Sequence, residues 1–144
     1  MPLQITPSGY TESYNLEKNT ITISEGGNSC GYIDIQRSNF WCGGHCYSLS
    51  DVSIDTEFLY QFLKYKERRI MSLRVGSGLP NIQKKAIEGV YISFPSIQEQ
   101  QKISSVLTNI DKETEKYEQQ LADLKQEKKA LMQQLLTGKR RVSV

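Results

Sequence analysis

The sequence predicts an α+β fold, in which a small mixed domain is followed by one long coiled-coil helix. Before Pro95, short apolar runs of period two alternate with turn residues and one helical stretch. After Pro95, one apolar repeat with the period of a coiled coil continues almost to the end of the 144-residue chain. These patterns divide the chain into a domain at 1–95, a helix at 96–138 and a basic tail at 139–144.

Local patterns define each element of the predicted mixed domain. Alternating apolar residues bounded by turn residues predict strands at 20–24, 30–36, 46–50 and 89–95. Apolar residues at helical spacing predict a helix over 56–73, which Asp55 or Thr56 would cap. The GSG triplet at 76–78 predicts a loop, and 81–88 allows a short second helix.

The long helix carries an unbroken alternation of four-residue and three-residue spacings. Its repeat positions are Ile103, Leu107, Ile110, Thr114, Tyr117, Leu121, Leu124, Lys128, Leu131 and Leu135. At about 1.5 Å per residue the helix would be roughly 60 Å long, more than so small a domain can cover. We expect its apolar stripe to pair with a second copy or another protein, with Thr114 and Lys128 selecting register; the alternative is a helix folded back on its own domain.

Composition and charge narrow the class of protein. With 38% hydrophobic and 24% charged residues, the chain has enough apolar material for a modest core. Because no window approaches eighteen apolar residues and the N-terminus does not resemble a signal peptide, we expect a soluble cytoplasmic protein without a membrane partner. The segment from Lys64 to Lys85 contains seven basic residues and one acidic residue, Glu67. This excess of positive charge indicates either a phosphate-facing surface or a solvated basic helix face.

The run FWCGGHCYSLS at 40–50 raises the question of a metal or thiol site, because it holds two of three cysteines and the only histidine. Together with Cys30 it could supply a Cys3His zinc set, but adjacent His45 and Cys46 would point to opposite faces of a strand. No C-x-x-C pair, nucleotide-binding glycine motif or catalytic constellation is present. We therefore expect no metal, no cofactor and no enzymatic activity.

The second half of the sequence closely resembles the end of a target-recognition domain in specificity subunits of type I restriction-modification enzymes. The resemblance covers at least 70–142. The residues that match the recurring family motif are Gly76-Ser77, Asn81-Ile82, the segment 90–95, and Glu99-Gln100 with Ile103. Further along the chain, the stretches LTNID and LKQEKKALMQQLLTGKRRV are similar to the spacer helix of that family. Upstream, NTITISEGGNSCGYI and FWCGGHCYSLS are similar to the family's earlier strands. Because family modules have a longer N-terminal portion, the resemblance implies a truncated or half-length subunit.

The resemblance implies a function. Such a subunit is non-catalytic, and it reads one half of a bipartite site in double-stranded DNA. Its spacer helices pair antiparallel and dock methyltransferase subunits, which carry S-adenosylmethionine, and the restriction subunit can join them. A half-length chain would homodimerise through its helix and read an interrupted palindrome. The alternative is a truncated interaction or antirestriction-like module that pairs through the helix without reading DNA.

Side-chain chemistry indicates which residues would contact DNA. Arg69, Arg74, Lys84 and Lys85, with the amides of the Ser77 loop, suit phosphate anchoring because they carry positive charge or allow close approach to the backbone. Gln36, Arg37, Asn39 and His45 suit base reading because they offer hydrogen-bond donors and acceptors in predicted loops and strand ends. The partner helix face would consist of Ile103, Leu107, Ile110, Tyr117, Leu121, Leu124, Leu131 and Leu135.

Overall fold

A computed structural model describes residues 9–142 and confirms the α+β fold class. Within that range the chain forms three strands and three helices. They are β1 (Thr20–Ser24), β2 (Ile33–Gln36), β3 (Cys46–Ser48), α1 (Thr56–Met71), α2 (Lys84–Glu88) and α3 (Ile97–Leu136). The chain divides into two compact units between Ser104 and Ser105, inside α3.

The three strands form an antiparallel sheet in the order β2-β1-β3. Ile21 pairs with Ile35, and Ile23 pairs with Ile33, so the period-two alternation directs all four isoleucines to one face, where they are buried. The register also defines two ends of the sheet. Thr20 pairs with Gln36 at one end, and Ser24 pairs with Cys46 at the other.

Helix α1 covers the apolar face of the sheet. Leu59, Leu63 and Ile70 recur at helical spacing and are buried against the isoleucines, together with Cys30 and Ile82. The Asp55 side chain accepts a hydrogen bond from the Phe58 amide at 2.8 Å, which confirms the predicted cap. The helix ends at Met71, two residues earlier than expected.

Lys64 and Glu67 of α1 also hold the outer edge of β2. The Ile33 amide donates to the Glu67 carboxylate at 2.9 Å, and the Lys64 ammonium donates to the Ile33 carbonyl at 2.9 Å. The two side chains form an ion pair at 2.6 Å, and Lys64 lies over the Tyr32 ring. Side chains of α1 therefore satisfy the main-chain hydrogen-bonding groups of Ile33 at this strand edge, and Lys64 stabilises the fold instead of belonging to the exposed basic surface.

The predicted strand at 89–95 is wrong. Within the described residues this segment makes no strand pairing, although Val90 and Ile92 pack against the core while Tyr91 is exposed. Alternation alone produced the prediction, but a strand also needs a hydrogen-bonding partner. The predicted strand at 30–36 begins only at Ile33, because Gly31 has a φ of +87° in the preceding turn.

The long helix α3 begins at Ile97 and ends at Leu136, a length of about 60 Å. In its first turns, Gln100 and Ser104 are buried within the first unit. From Ser105 onward, the apolar repeat positions of the second unit are exposed. None of the helices in residues 9–142 is both long and apolar enough to span a membrane.

Candidate nucleic-acid interface

Three loops meet at the end of the sheet where β1 ends, and Glu25 joins them. The Glu25 amide donates to the His45 carbonyl at 3.0 Å, and the Glu25 carbonyl accepts from the Ile82 amide at 2.9 Å. The Gly27 amide donates to the Pro80 carbonyl at 2.9 Å. These main-chain bonds hold the residues after β1, before β3 and before α2 in fixed relation to one another.

The glycine loop at 75–81 is closed by its own backbone. The Val75 amide donates to the Asn81 carbonyl at 2.8 Å, and the Asn81 amide donates to the Val75 carbonyl at 2.9 Å. Gly76 has a φ of +99°, which favours glycine there, and Ser77 is exposed at the tip. The loop predicted from GSG is therefore present as a short, closed turn.

Basic side chains flank this loop on both sides. Arg74 comes directly before it, Lys84 and Lys85 open α2 after it, and Arg69 lies in the last turn of α1. All four are exposed, and Lys84 has only a loose ion pair with Glu88 at 3.8 Å. We call Arg69, Arg74, Ser77, Lys84 and Lys85 the basic loop surface. The structure keeps Arg74, Ser77, Lys84 and Lys85 beside the closed loop at this end of the domain, and Arg69 lies five residues before Arg74 in the last turn of α1.

His45 belongs to the same end of the sheet. Its side chain is 94% exposed, and its Nδ1 atom lies 3.9 Å from the Glu25 carboxylate. Beneath it, the Tyr47 hydroxyl lies 3.1 Å from the same carboxylate and 3.0 Å from the Ile82 carbonyl. His45 is thus available to a ligand, and the fold anchors its neighbours.

The other predicted base-reading residues lie at the opposite end of the sheet, about 13 Å away along β1. The Arg37 guanidinium makes a two-pronged ion pair with Glu57, the second contact being 2.9 Å, and it lies beside the Tyr60 ring. The side-chain carbonyl oxygen of Asn39 accepts from the Lys18 main-chain amide at 3.0 Å. Sequence reasoning missed both contacts, because neither partner is close in the chain.

Gln36 and Asn39 border a concave surface that sequence reasoning did not identify. It lies on the face of the sheet that carries Thr22, opposite the apolar face. Its aromatic members are Tyr10, Tyr14, Phe40 and Trp41. Asn15 holds its rim, because its side chain donates to the Cys42 carbonyl at 3.0 Å and accepts from the Cys42 amide at 2.7 Å. We call this surface the aromatic cleft.

The three cysteines are free thiols. Cys30 is buried and donates to the Glu25 carbonyl at 3.0 Å, so it supports the loop junction. Burial, and then the neighbouring Cys42, raises the pKa of Cys46 to about 12, which keeps this thiol protonated at neutral pH. In the part of the chain that the structure describes, no three His, Cys, Asp or Glu side chains converge as metal ligands.

The family model for the type I restriction modification DNA specificity domain matches residues 3–126. The chain belongs to this family. Two putative type I specificity subunits, from Mycoplasma genitalium and Mycoplasma pneumoniae, are each 36% identical to this specificity domain over 112 and 111 residues, or 75% and 74% of the chain. The MjaVIII specificity subunit of Methanocaldococcus jannaschii is 32% identical over 84 residues, which cover 58% of the chain and 20% of that protein.

A solved structure supports the same fold. The S subunit of a type I restriction-modification system from M. genitalium matches with a TM-score of 0.68 and 32% identity, over 78% of this specificity domain and 31% of that chain. The two Mycoplasma relatives are each covered over 29% of their length, so the chain spans less than a third of the relatives it matches. Membership confirms the predicted family.

Proposed function

We propose that this chain is a DNA sequence-specificity subunit of a type I restriction-modification system, which reads one half of a bipartite site and docks methyltransferase subunits through α3. The observation that carries the proposal is the basic loop surface. Arg74, the closed glycine loop, Lys84 and Lys85 follow one another in the chain, and main-chain bonds to Gly27 and Glu25 fix them at one end of the sheet. Family membership supplies the class of ligand.

The chemistry of this surface suits a DNA backbone. Lysine and arginine neutralise phosphates and release bound counterions, and a glycine-flanked turn allows the main chain to approach a phosphate closely. The basic loop surface lies at one end of β1, and Gln36 and Asn39 lie at the other end, about 13 Å away. The aromatic cleft extends across the sheet face between these ends, because Gln36, Asn39 and Cys46 all line it. Phosphate contacts and base contacts can therefore come from separate parts of the domain.

Gln36, Asn39 and His45 are the proposed base readers, because carboxamide and imidazole groups pair with base edges. Gln36 donates to Asp34 at 3.0 Å, and Asn39 accepts from Lys18 at 3.0 Å, so both side chains are held in place before DNA arrives. Arg37 would have to exchange Glu57 for a base in order to contact DNA directly. In the free protein it instead holds the strand end against α1.

The proposed partners follow from the exposed seam of α3 and from the family. A second copy would cover the seam, and methyltransferase subunits, with the restriction subunit, would assemble on it. S-adenosylmethionine would bind on the methyltransferase, and no cofactor is assigned to this chain. Such an assembly works in the cytoplasm, and its two-fold symmetry predicts an interrupted palindromic target.

The experiment is DNA binding by the full chain together with its methyltransferase, measured across a salt series on randomised duplexes. We expect selection of one interrupted sequence, and at least tenfold weaker binding with a flatter salt dependence for Lys84→Glu/Lys85→Glu. The matched control is Lys102→Glu/Lys139→Glu, which makes the same charge change at exposed lysines outside the proposed DNA-contacting residues. Equal losses in both variants would contradict the proposed surface. Intact assembly without DNA binding would favour the interaction or antirestriction-like module instead.

A further inference from the structure

The second unit presents an apolar seam that is exposed along the described helix. Its members occupy alternate spacings of three and four residues and retain between 37% exposure at Leu107 and 67% at Tyr117. The Thr114 hydroxyl donates to the Ile110 carbonyl at 2.8 Å, so this polar seam residue is satisfied within its own helix. Lys128 is the one seam position with a charge. An apolar seam of this kind requires a second helix.

Parallel, in-register pairing of two copies places like charges together. Equivalent seam positions face each other in that arrangement, so Lys128 would meet the partner's Lys128 inside the seam. On the flanks, Glu113 would face the partner's Glu118 twice. These contacts oppose parallel pairing of identical chains.

Antiparallel pairing allows several registers that differ by one heptad, and one of them brings opposite charges of the two helices together. In it, Leu121 meets the partner's Leu124, and Tyr117 meets the partner's Lys128. The Lys128 ammonium can then lie against an aromatic ring instead of another ammonium. On one flank, Glu118 faces the partner's Lys125, and two-fold symmetry forms this opposite-charge pair twice. On the other flank, each glutamate faces a glutamine.

Both neighbouring registers bring like charges together. A shift of one heptad toward the N-terminus sets Glu118 against the partner's Glu118 once and Glu113 against the partner's Glu127 twice. These three like-charge contacts outnumber the two opposite-charge pairs of Asp111 with the partner's Lys125. The opposite shift sets Lys125 against the partner's Lys125 and Glu127 against the partner's Glu127. The same few flank residues therefore favour one register and oppose its two neighbours.

Antiparallel pairing of two copies is what the family resemblance implies; we infer that this pairing is centred on Leu121 and Leu124, and that the Glu118 and Lys125 flank selects this register. The inference rests on the proposed homodimer and adds its geometry. The centre of the helix pair sets the distance between two recognition domains, so the register also sets the spacing between the two half-sites.

A charge exchange on the full-length chain tests the flank. Glu118→Lys or Lys125→Glu alone turns both opposite-charge pairs into like-charge pairs, and we expect the dimer dissociation constant to rise roughly tenfold at low ionic strength. The combined variant Glu118→Lys/Lys125→Glu restores both pairs with reversed sign, and dimerisation should return. The matched controls, Glu115→Lys and Lys129→Glu, change the same charges on the outward helix face. Sedimentation equilibrium measures each constant.

Distances between two nitroxides test the register directly. A spin-labelled non-natural amino acid replaces Asp123 in one sample and Lys116 in another. The inferred register separates the two labels along the axis by about 1.5 Å at Asp123 and about 20 Å at Lys116. A shift of one heptad toward the N-terminus reverses the order, and the opposite shift raises both separations. Parallel pairing makes the two distances equal.

The outcomes separate this inference from the proposed function. A wild-type chain that stays monomeric with its methyltransferase present overturns the homodimer and the register with it. A wild-type dimer that the combined variant fails to restore, or whose label distances match another register, overturns the register alone. DNA selection by that dimer would still support the proposed function.

Discussion

The side-chain carbonyl of Gln100 accepts a hydrogen bond from the Asp55 amide at 2.9 Å, and its amide group donates to the Pro95 carbonyl at 2.8 Å. Gln100 is only 3% exposed. One buried side chain thus joins the cap of α1, the segment before α3 and the start of α3 itself. A carboxamide is suited to this position because it donates and accepts at the same time.

Replacing Gln100 with leucine should destabilise the domain. The substitution leaves the Asp55 amide and the Pro95 carbonyl without this partner in a buried site, at a cost of about 2–4 kcal/mol. Urea unfolding of Gln100→Leu beside Gln101→Leu, an exposed neighbour, measures the difference. The control should change stability by less than about 0.5 kcal/mol. Equal effects of the two changes would show that the buried hydrogen bonds contribute nothing.

Gly31→Ala should also destabilise the domain. Gly31 has a φ of +87°, and a Cβ atom there would lie 2.8 Å from the Met71 Cα atom. The left-handed conformation and the clash with backbone together should cost about 2–4 kcal/mol. Thermal unfolding compares this variant with Gly43→Ala, where a Cβ atom would meet nothing within 4 Å. A stable Gly31→Ala protein would mean that the contact between this turn and α1 is not tight.

The elements predicted correctly depend on local patterns. Strand β1 and helix α1 were identified because their buried residues repeat with the periods of the two structures, and Asp55 is a favourable cap. The segment at 89–95 has the same alternation as β1 but no paired strand in the described structure. Pairing is a tertiary property, and apolar alternation cannot distinguish a strand from an extended segment that packs on the core.

The same distinction applies to the candidate site. Arg74, Ser77, Lys84 and Lys85 were predicted together because they are close in the chain, and the loop junction keeps them together. The roles of Arg37 and Asn39 depend on partners about twenty residues away, which no local pattern indicates. The aromatic cleft was missed for the same reason, since Tyr10 and Trp41 are far apart in the sequence and line one surface only through the fold.

Lys64→Met should reduce stability without weakening DNA binding, even though Lys64 belongs to the basic run. Its ammonium donates hydrogen bonds to the Ile33 carbonyl and the Glu67 carboxylate. Because the substitution leaves both acceptors at the edge of β2 without this donor, we expect the free energy of unfolding to fall by about 1–2 kcal/mol. Arg68→Met, at an exposed position of the same helix, is the control for loss of charge. Unfolding curves and DNA titrations on both variants are needed. A Lys64→Met protein with normal stability and weaker DNA binding would contradict this assignment.

The Cys46 thiol should make stability fall at alkaline pH. Its pKa is raised from an ordinary 9.0 to about 12 in the folded protein, so the unfolded chain loses this proton first. The contribution is complete below about pH 9 and is lost as pH rises toward 12. Cys46→Ala should flatten the pH dependence of unfolding over that window, while Cys46 in the native protein should resist alkylation at pH 8. Rapid native alkylation of Cys46, located by mass spectrometry, would contradict the raised pKa.

Glu57→Gln should tighten DNA binding by a few-fold, because it releases Arg37, which must exchange Glu57 for a base in order to contact DNA. The carboxylate holds the guanidinium through two hydrogen bonds, and both side chains are partly exposed, so loss of the ion pair should cost less than about 1 kcal/mol of stability. It would free a guanidinium that can bind guanine through two donors. Glu17→Gln removes the same charge at an exposed position and serves as the control. If both variants bind DNA equally, Arg37 acts only within the fold, and base reading falls to Gln36, Asn39 and His45.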